Sequence, residues 1–132
     1  MTAVILNGGK DLCISVGRKP QSLAGVSLAL GLITGCHHIP PPTPLEQLNA
    51  QQRDGYNVFQ ARCANCHYER VDDPKNGPSL VGLFKKPYLH SGAPANDERV
   101  TATILHGHGL MPGQPDLDSQ SLAALLAYLH TV

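Results

Sequence analysis

Residues 63–67 bring two thiols and an imidazole together within five positions. Cys63 and Cys66 stand three positions apart, and His67 follows directly. On one helical turn, this spacing presents both sulfur atoms on the same side of the chain, with the imidazole beside them. Thiolates and imidazole nitrogens bind metals, and paired thiols also carry out redox or addition chemistry. This segment is therefore the first candidate for a functional site.

Thiol–disulfide redox, zinc binding and covalent attachment of haem all use a Cys-x-x-Cys pair. A thioredoxin-like pair lies within a βαβ pattern, and a zinc site needs a second ligand pair at similar spacing; the sequence offers neither. The longer pattern Cys-x-x-Cys-His is typical of c-type haem attachment, where each thiol adds across a vinyl group. The sequence therefore predicts one haem c, bound covalently by Cys63 and Cys66, with His67 as an axial ligand of its iron.

Apolar periodicity predicts helices on both sides of this motif. Leucines at 122, 125, 126 and 129 form a stripe on an amphipathic helix, for which Asp118 is the expected N-cap. A second helix is expected to begin at Asn96, to turn Val100 and Ile104 inward and to end at Gly107. No segment indicates a strand. These elements predict an all-α fold.

The surroundings of the motif resemble class I monohaem cytochromes c over residues 50–131. The likeness lies in four segments, at 55–63, 76–82, 106–112 and 125–129. It implies a small cytochrome c fold of three to five helices wrapped around one covalently bound haem. It also implies that the C-terminal helix crosses at Gly55, where the absence of a side chain permits close approach, and that Tyr128 lies near Phe59.

The same resemblance makes Met111 the sixth iron ligand and makes the carbonyl of Pro78 the acceptor for the second nitrogen of His67. A thioether is a soft, neutral ligand that favours ferrous iron and raises the reduction potential. His106 and His108 are alternative sixth ligands because they are close to Met111 in sequence. His90 and His130 belong to no motif and are expected at the surface.

The first third of the chain has the pattern of a targeting signal. Arg18 and Lys19 precede an uncharged stretch at 23–33, and small residues lead to Cys36. Residues 32–36 resemble the lipobox of bacterial lipoproteins, which implies lipid attachment to Cys36. Residues 1–35 are therefore interpreted as a signal peptide. Because residues 1–15 are atypical of such a signal, translation is hypothesised to start near Val16.

Residues 36–49 are interpreted as a lipid-anchored tether, because 37–47 are rich in proline and expected to be extended. His37 and His38 are interpreted as solvated. Residues 50–132 form the predicted cytochrome c domain. The loop from Glu69 to Lys75 is interpreted as solvated, with a docking face as the alternative.

The expected function is electron transfer by a membrane-tethered carrier on the periplasmic side, without enzymatic activity. With 10 basic and 10 acidic residues, the chain lacks the basic field that nucleic-acid binding requires. Redox proteins and a membrane are the expected partners, and the chain is expected to be monomeric. The alternatives are a haem subunit of a dehydrogenase or terminal oxidase, and a haem peroxidase or gas sensor with a labile sixth ligand.

Overall fold

The computed structural model describes residues 38–132, and residues 39–132 form one compact unit. A short 3-10 helix (Leu45–Gln47) comes first. The helices α1 (Ala50–Arg62), α2 (Asp97–His106) and α3 (Ser119–Leu129) follow, with a hairpin of β1 (Gly107–His108) and β2 (Met111–Pro112) between the last two helices. The predicted all-α class with three to five helices is confirmed. The antiparallel hairpin was not predicted, because strands of two residues leave no alternation in a sequence.

The helix termini follow from short polar motifs. Asn96 caps α2 by accepting a hydrogen bond from the backbone of Arg99, and Gly107 ends this helix at a φ of 79°. Asp118 caps α3 through its carboxylate, which accepts from two backbone N–H groups of the first turn. These three predicted boundaries are confirmed. At α1, the side chain of Asn49 accepts from the backbone of Gln52, whose own side chain accepts in return.

Helices α1 and α3 cross at Gly55. A Cβ atom built there would lie 1.9 Å from the carbonyl oxygen of Ala124, so only glycine permits this approach. The crossing places Tyr128 against α1, with its ring centroid 5.8 Å from that of Phe59 and 5.4 Å from that of Tyr56. The predicted crossing and the predicted proximity of Tyr128 and Phe59 are both confirmed.

The apolar core draws on every helix and on the segment before α1. Its buried members are Leu48, Phe59, Val100, Ile104, Leu125, Tyr128, Leu129 and Val132. The inward positions expected for α2 are confirmed by Val100 and Ile104, each 6% exposed. The buried apolar core of the described residues is thus small, and small domains bury a smaller fraction of their surface on folding than large ones.

The segment before α1 contacts the domain. The backbone N–H of Thr43 donates to the carbonyl of Thr131 (2.8 Å), the side chain of Leu48 is buried, and Ile39 packs against Gly82. Although the sequence favours an extended tether as far as residue 49, the domain in this structure therefore begins at Ile39. Cys36 and the leader lie outside the described residues.

We expect Gly55→Ala to lower the free energy of unfolding of the haem-loaded protein by about 1–3 kcal/mol, because the added methyl group forces α1 away from α3. Denaturant titration measures the change. Asn57→Ala, at an exposed position of the same helix, is the matched control and should change stability by no more than about 0.5 kcal/mol. Equal stability of the two variants would contradict the close crossing.

Candidate haem site

The end of α1 forms the turn that carries both thiols. Cys63 is the C-cap, and its N–H donates to the carbonyl of Phe59 (2.8 Å). The carbonyl of Cys63 then accepts from the N–H groups of Cys66 (2.9 Å) and His67 (3.0 Å). Both thiols are free and half-buried. The turn therefore holds the two sulfur atoms and the imidazole as a single unit rooted in α1.

The imidazole of His67 is held in one orientation. Its Nδ1 lies 2.8 Å from the carbonyl oxygen of Pro78, and the residue is 9% exposed. Because a carbonyl only accepts, Nδ1 carries the proton and Nε2 keeps the lone pair that binds a metal. The predicted hydrogen bond is thus present in the structure. Gly77 packs on the ring so closely that a Cβ atom there would lie 2.4 Å from Cε1.

A second loop closes over the attachment turn. Three successive carbonyls, at 64–66, accept hydrogen bonds from three successive residues of this loop. The donors are Nζ of Lys75 (2.7 Å), Nδ2 of Asn76 (3.4 Å) and the backbone nitrogen of Gly77 (2.7 Å). The ammonium of Lys75 also lies 5.2 Å from the ring centroid of Tyr68. The loop that orients the imidazole is therefore joined to the turn that carries the thiols.

The environment of Cys63 favours its thiol form. Burial raises its pKa to about 11, while the positive charge of Arg62 acts in the opposite direction and Cys66 adds to the increase. The thiol is therefore protonated at neutral pH in this arrangement, which is the form that adds across a carbon–carbon double bond with its own proton. Such a site is poorly suited to thiol–disulfide exchange, which requires thiolate.

The residues present fit a covalently bound haem. Such a group requires two thiols on one turn and an imidazole whose Nε2 is free to bind iron. Both are present, and the carbonyl that accepts from Nδ1 holds the imidazole in place. Among residues 38–132, no cluster of three or more His, Cys, Asp or Glu side chains has the geometry to hold a bare metal ion. Within that part of the chain, zinc therefore has no competing site.

Met111 lies on the hairpin that follows α2. It pairs with His108 across the two strands, and its side chain is partly buried, whereas the neighbouring Leu110 is fully exposed. The hairpin packs back on α2, since a Cβ atom at Gly113 would lie 2.6 Å from the carbonyl oxygen of Leu105. The hairpin thus buries part of Met111 and turns its neighbours outward.

An ion pair connects this region to the attachment turn. Nη1 of Arg62, the residue before Cys63, lies 2.8 Å from a carboxylate oxygen of Asp116 and 3.2 Å from the side-chain oxygen of Gln114. The hydrogen bond from Arg62 holds the pKa of Asp116 below its usual range. The structure therefore brings the chain just after Met111 next to the turn that bears the thiols.

The other histidines of the described residues lie at the surface. His90 is exposed, as expected, and the two alternative sixth ligands, His106 and His108, are exposed as well. His130 is exposed too, but its ring stacks on Phe84 at a centroid distance of 3.9 Å and its Nε2 lies 2.7 Å from Asp97. The partly buried thioether is thus better shielded from water than either neighbouring imidazole.

One buried cluster was not predicted. Glu69, interpreted from the sequence as solvated, is 9% exposed, and its carboxylate accepts from the hydroxyl of Tyr128 (3.2 Å) and the amide of Gln60 (3.4 Å). Arg70 extends from the same loop to the carbonyl of Thr43 (2.7 Å). That interpretation is wrong for Glu69, although Asp72 and Asp73 are exposed. Tyr128 is 59 residues from Glu69 and Thr43 is 27 residues from Arg70, so no local pattern reveals these two partners.

We expect Gly77→Ala to disturb haem binding, because its methyl group has no room beside the imidazole of His67. The variant should mature with a several-fold lower yield of holoprotein, measured as haem per polypeptide by the pyridine haemochrome spectrum. Asp73→Ala, exposed on the same loop, is the control and should mature normally. A normal yield and an unchanged spectrum for Gly77→Ala would contradict the described packing.

Comparison with protein-family models matches residues 50–129 to the family described as cytochrome c oxidase, cbb3-type, subunit III. The match spans α1, the attachment turn, the hairpin and α3, and covers more than half of the chain. The matched residues include both thiols, the imidazole of His67 and Met111. The chain therefore belongs to this family of monohaem cytochrome c domains, which bind haem c covalently.

Proposed function

We propose that the protein is a membrane-tethered electron carrier in which His67 and Met111 occupy both axial positions of a single haem. Membership of the family implies haem-based electron transfer. The observation that carries the proposal is the orientation of His67, whose Nδ1 donates to Pro78 while the adjacent thiols lie on the same turn. This arrangement holds the imidazole in one orientation and leaves Nε2 as the nitrogen that can bind the iron.

The haem, when bound, supplies an iron that alternates between two oxidation states. The chain's own task is to hold the ligands in one geometry for both charges of the iron and to exclude water. Gly77 and Pro78 prevent rotation of the imidazole of His67, and the hydrogen bonds of Lys75 keep that loop on the attachment turn. Rigid ligands reduce the rearrangement that accompanies each electron transfer.

Two observations support Met111 as the second axial ligand. Its side chain is partly buried, whereas His106 and His108 are exposed. The contact of Arg62 with Asp116 also holds the segment that follows Met111 beside Cys63, which supports a position of the hairpin close to the attachment turn. A thioether in this position raises the reduction potential, which suits a carrier that accepts electrons readily. With both axial positions occupied, the iron has no free position for a substrate.

We expect Met111→Ala to open the iron to carbon monoxide. The reduced wild-type protein should bind carbon monoxide slowly or incompletely at neutral pH, and the variant should bind it rapidly and stoichiometrically, as absorption spectra will record. Leu110→Ala is the matched control, and His106→Ala and His108→Ala should also behave as the wild type. Rapid binding by the wild type would favour a gas sensor or peroxidase. If His108→Ala were the only variant to bind carbon monoxide rapidly, His108 would be the sixth ligand.

We place the protein on the periplasmic side of a bacterial membrane, anchored by lipid on Cys36 after removal of residues 1–35. The supports are the lipobox-like sequence at 32–36 and the apolar stretch before it. In the described part of the chain, no helix is long and apolar enough to cross a bilayer. Lipidation attaches two or three acyl chains, and two are already enough for stable anchoring.

We expect Cys36→Ser to move the protein from the membrane fraction to the soluble periplasmic fraction. The variant has no thiol to which a diacylglycerol can be attached, while its haem site is unchanged. Fractionation and labelling with radioactive palmitate measure the effect, and Cys13→Ser is the control that should leave anchoring intact. Label retained by the Cys36 variant, or membrane binding unchanged without the cysteine, would refute the anchor.

A second candidate function is that of a haem subunit within a terminal oxidase, which the description of the matching family favours. Purification in mild detergent distinguishes the two functions. A free carrier migrates at the size of one chain in its micelle, whereas a subunit co-purifies with oxygen-reducing activity. Both functions use the same haem site.

A further inference from the structure

Two oppositely charged side chains, at the second and third positions after His67, extend into the interior. Glu69 is 9% exposed, and its carboxylate accepts from the hydroxyl of Tyr128 and the amide of Gln60. Arg70 is partly buried. Its Nη2 donates to the carbonyl of Thr43, while its Nε is buried without a hydrogen-bond partner. Burying charges this way costs free energy, and neither side chain is needed to bind the imidazole or the thiols.

Both charges act on the same phenol. Burial raises the pKa of Tyr128, the negative charge of Glu69 raises it further, and the positive charge of Arg70 lowers it. The carboxylate and the guanidinium therefore share one poorly solvated region between α1, α3 and the loop after His67. Since Tyr128 is fully buried, water screens these charges weakly.

The covalent chain keeps this region close to the iron ligand. Glu69 follows His67 by two residues, so their Cα atoms are separated by no more than about 7.6 Å. A unit charge on a poorly solvated side chain close to this ligand in the chain is weakly screened, and it therefore acts on the charge of the iron centre. The ferric centre carries one more positive charge than the ferrous centre, so each side chain favours a different oxidation state.

We propose that Glu69 and Arg70 form a compensating charge pair that sets the reduction potential of the haem. The inference rests on the proposed function. Glu69 favours the ferric state and lowers the potential, whereas Arg70 favours the ferrous state and raises it. Tyr128 and Gln60 act as positioning residues that hold the carboxylate in place. The pair lets the fold adjust the potential without changing either axial ligand.

The sign of each shift tests the proposal, measured by potentiometric titration of the holoprotein. Glu69→Gln should raise the potential, Arg70→Met should lower it, and the double variant should return close to the wild type. Tyr128→Phe removes a hydrogen bond without removing a charge and should shift the potential less than either. Asp73→Asn, an exposed change of the same charge as Glu69→Gln, is the control and should have a small effect because solvent screens it.

A purely structural role gives a different result. Loosened packing admits water to the haem, stabilises the ferric state and lowers the potential in every variant. Shifts of Glu69→Gln and Arg70→Met in the same direction, or no shift in either, would overturn the proposal. If Arg70→Met does not retain haem, Arg70→Lys and Glu69→Asp are measured in its place, because each of them keeps both charges. The proposal then requires these two variants to stay near the wild-type potential while Glu69→Gln rises above it.

Failure of this inference is distinguishable from failure of the proposed function. Each variant is first examined for the ferric charge-transfer band of methionine-ligated haem and for carbon monoxide binding in the reduced state. If ligation is intact and the potentials do not move as stated, the charge pair is refuted while the carrier function stands. If the wild-type protein itself binds carbon monoxide rapidly, the proposed axial ligation fails instead.

Discussion

The hydrogen bond between His67 and Pro78 is the contact on which the geometry of the haem site depends. It joins the turn at the end of α1 to the loop that contains Gly77, and it determines which imidazole nitrogen is free. Three further hydrogen bonds hold the same loop in place, since the carbonyls of the attachment turn accept from Lys75, Asn76 and Gly77. One short carbonyl contact thus defines both the tautomer and the direction of the iron ligand.

The helices act as the support for this turn. Because α1 ends at the first thiol, any displacement of α1 relative to α3 displaces the site as well. The absence of a side chain at Gly55 lets the two helices approach, and Tyr128 then fills the space between them. The domain has a small apolar core, so two thioether bonds to one haem would add much of its cohesion.

Features that depend on neighbouring residues were predictable from the sequence. The attachment motif, the caps at Asn96 and Asp118 and the stop at Gly107 all arise from contacts within one or two turns. The crossing at Gly55 was predictable from the family resemblance. The motif, the caps and the stop required no knowledge of contacts between distant parts of the chain, whereas the crossing, which joins Gly55 to Ala124, was predictable only through the resemblance.

Distant pairs that the family resemblance does not cover were not predictable. Glu69 lies in a polar stretch, which favours a solvated side chain. Its burial results from the packing of α3, which brings Tyr128 against it. Likewise, the proline-rich segment carries no sign that Thr43 will bind both Thr131 and Arg70. In both cases a polar residue is satisfied by a partner from another element, so its burial depends on the tertiary fold.

The central claim is that Cys63 and Cys66 bind one haem covalently. Its most direct test is mass spectrometry of the mature holoprotein after extraction with acidified organic solvent, which removes haem that is not covalently bound. The account predicts that the mass of one haem is retained and that it maps to the peptide containing both cysteines. A colourless protein at the mass of the bare polypeptide, with both thiols free to react with an alkylating agent, would contradict it.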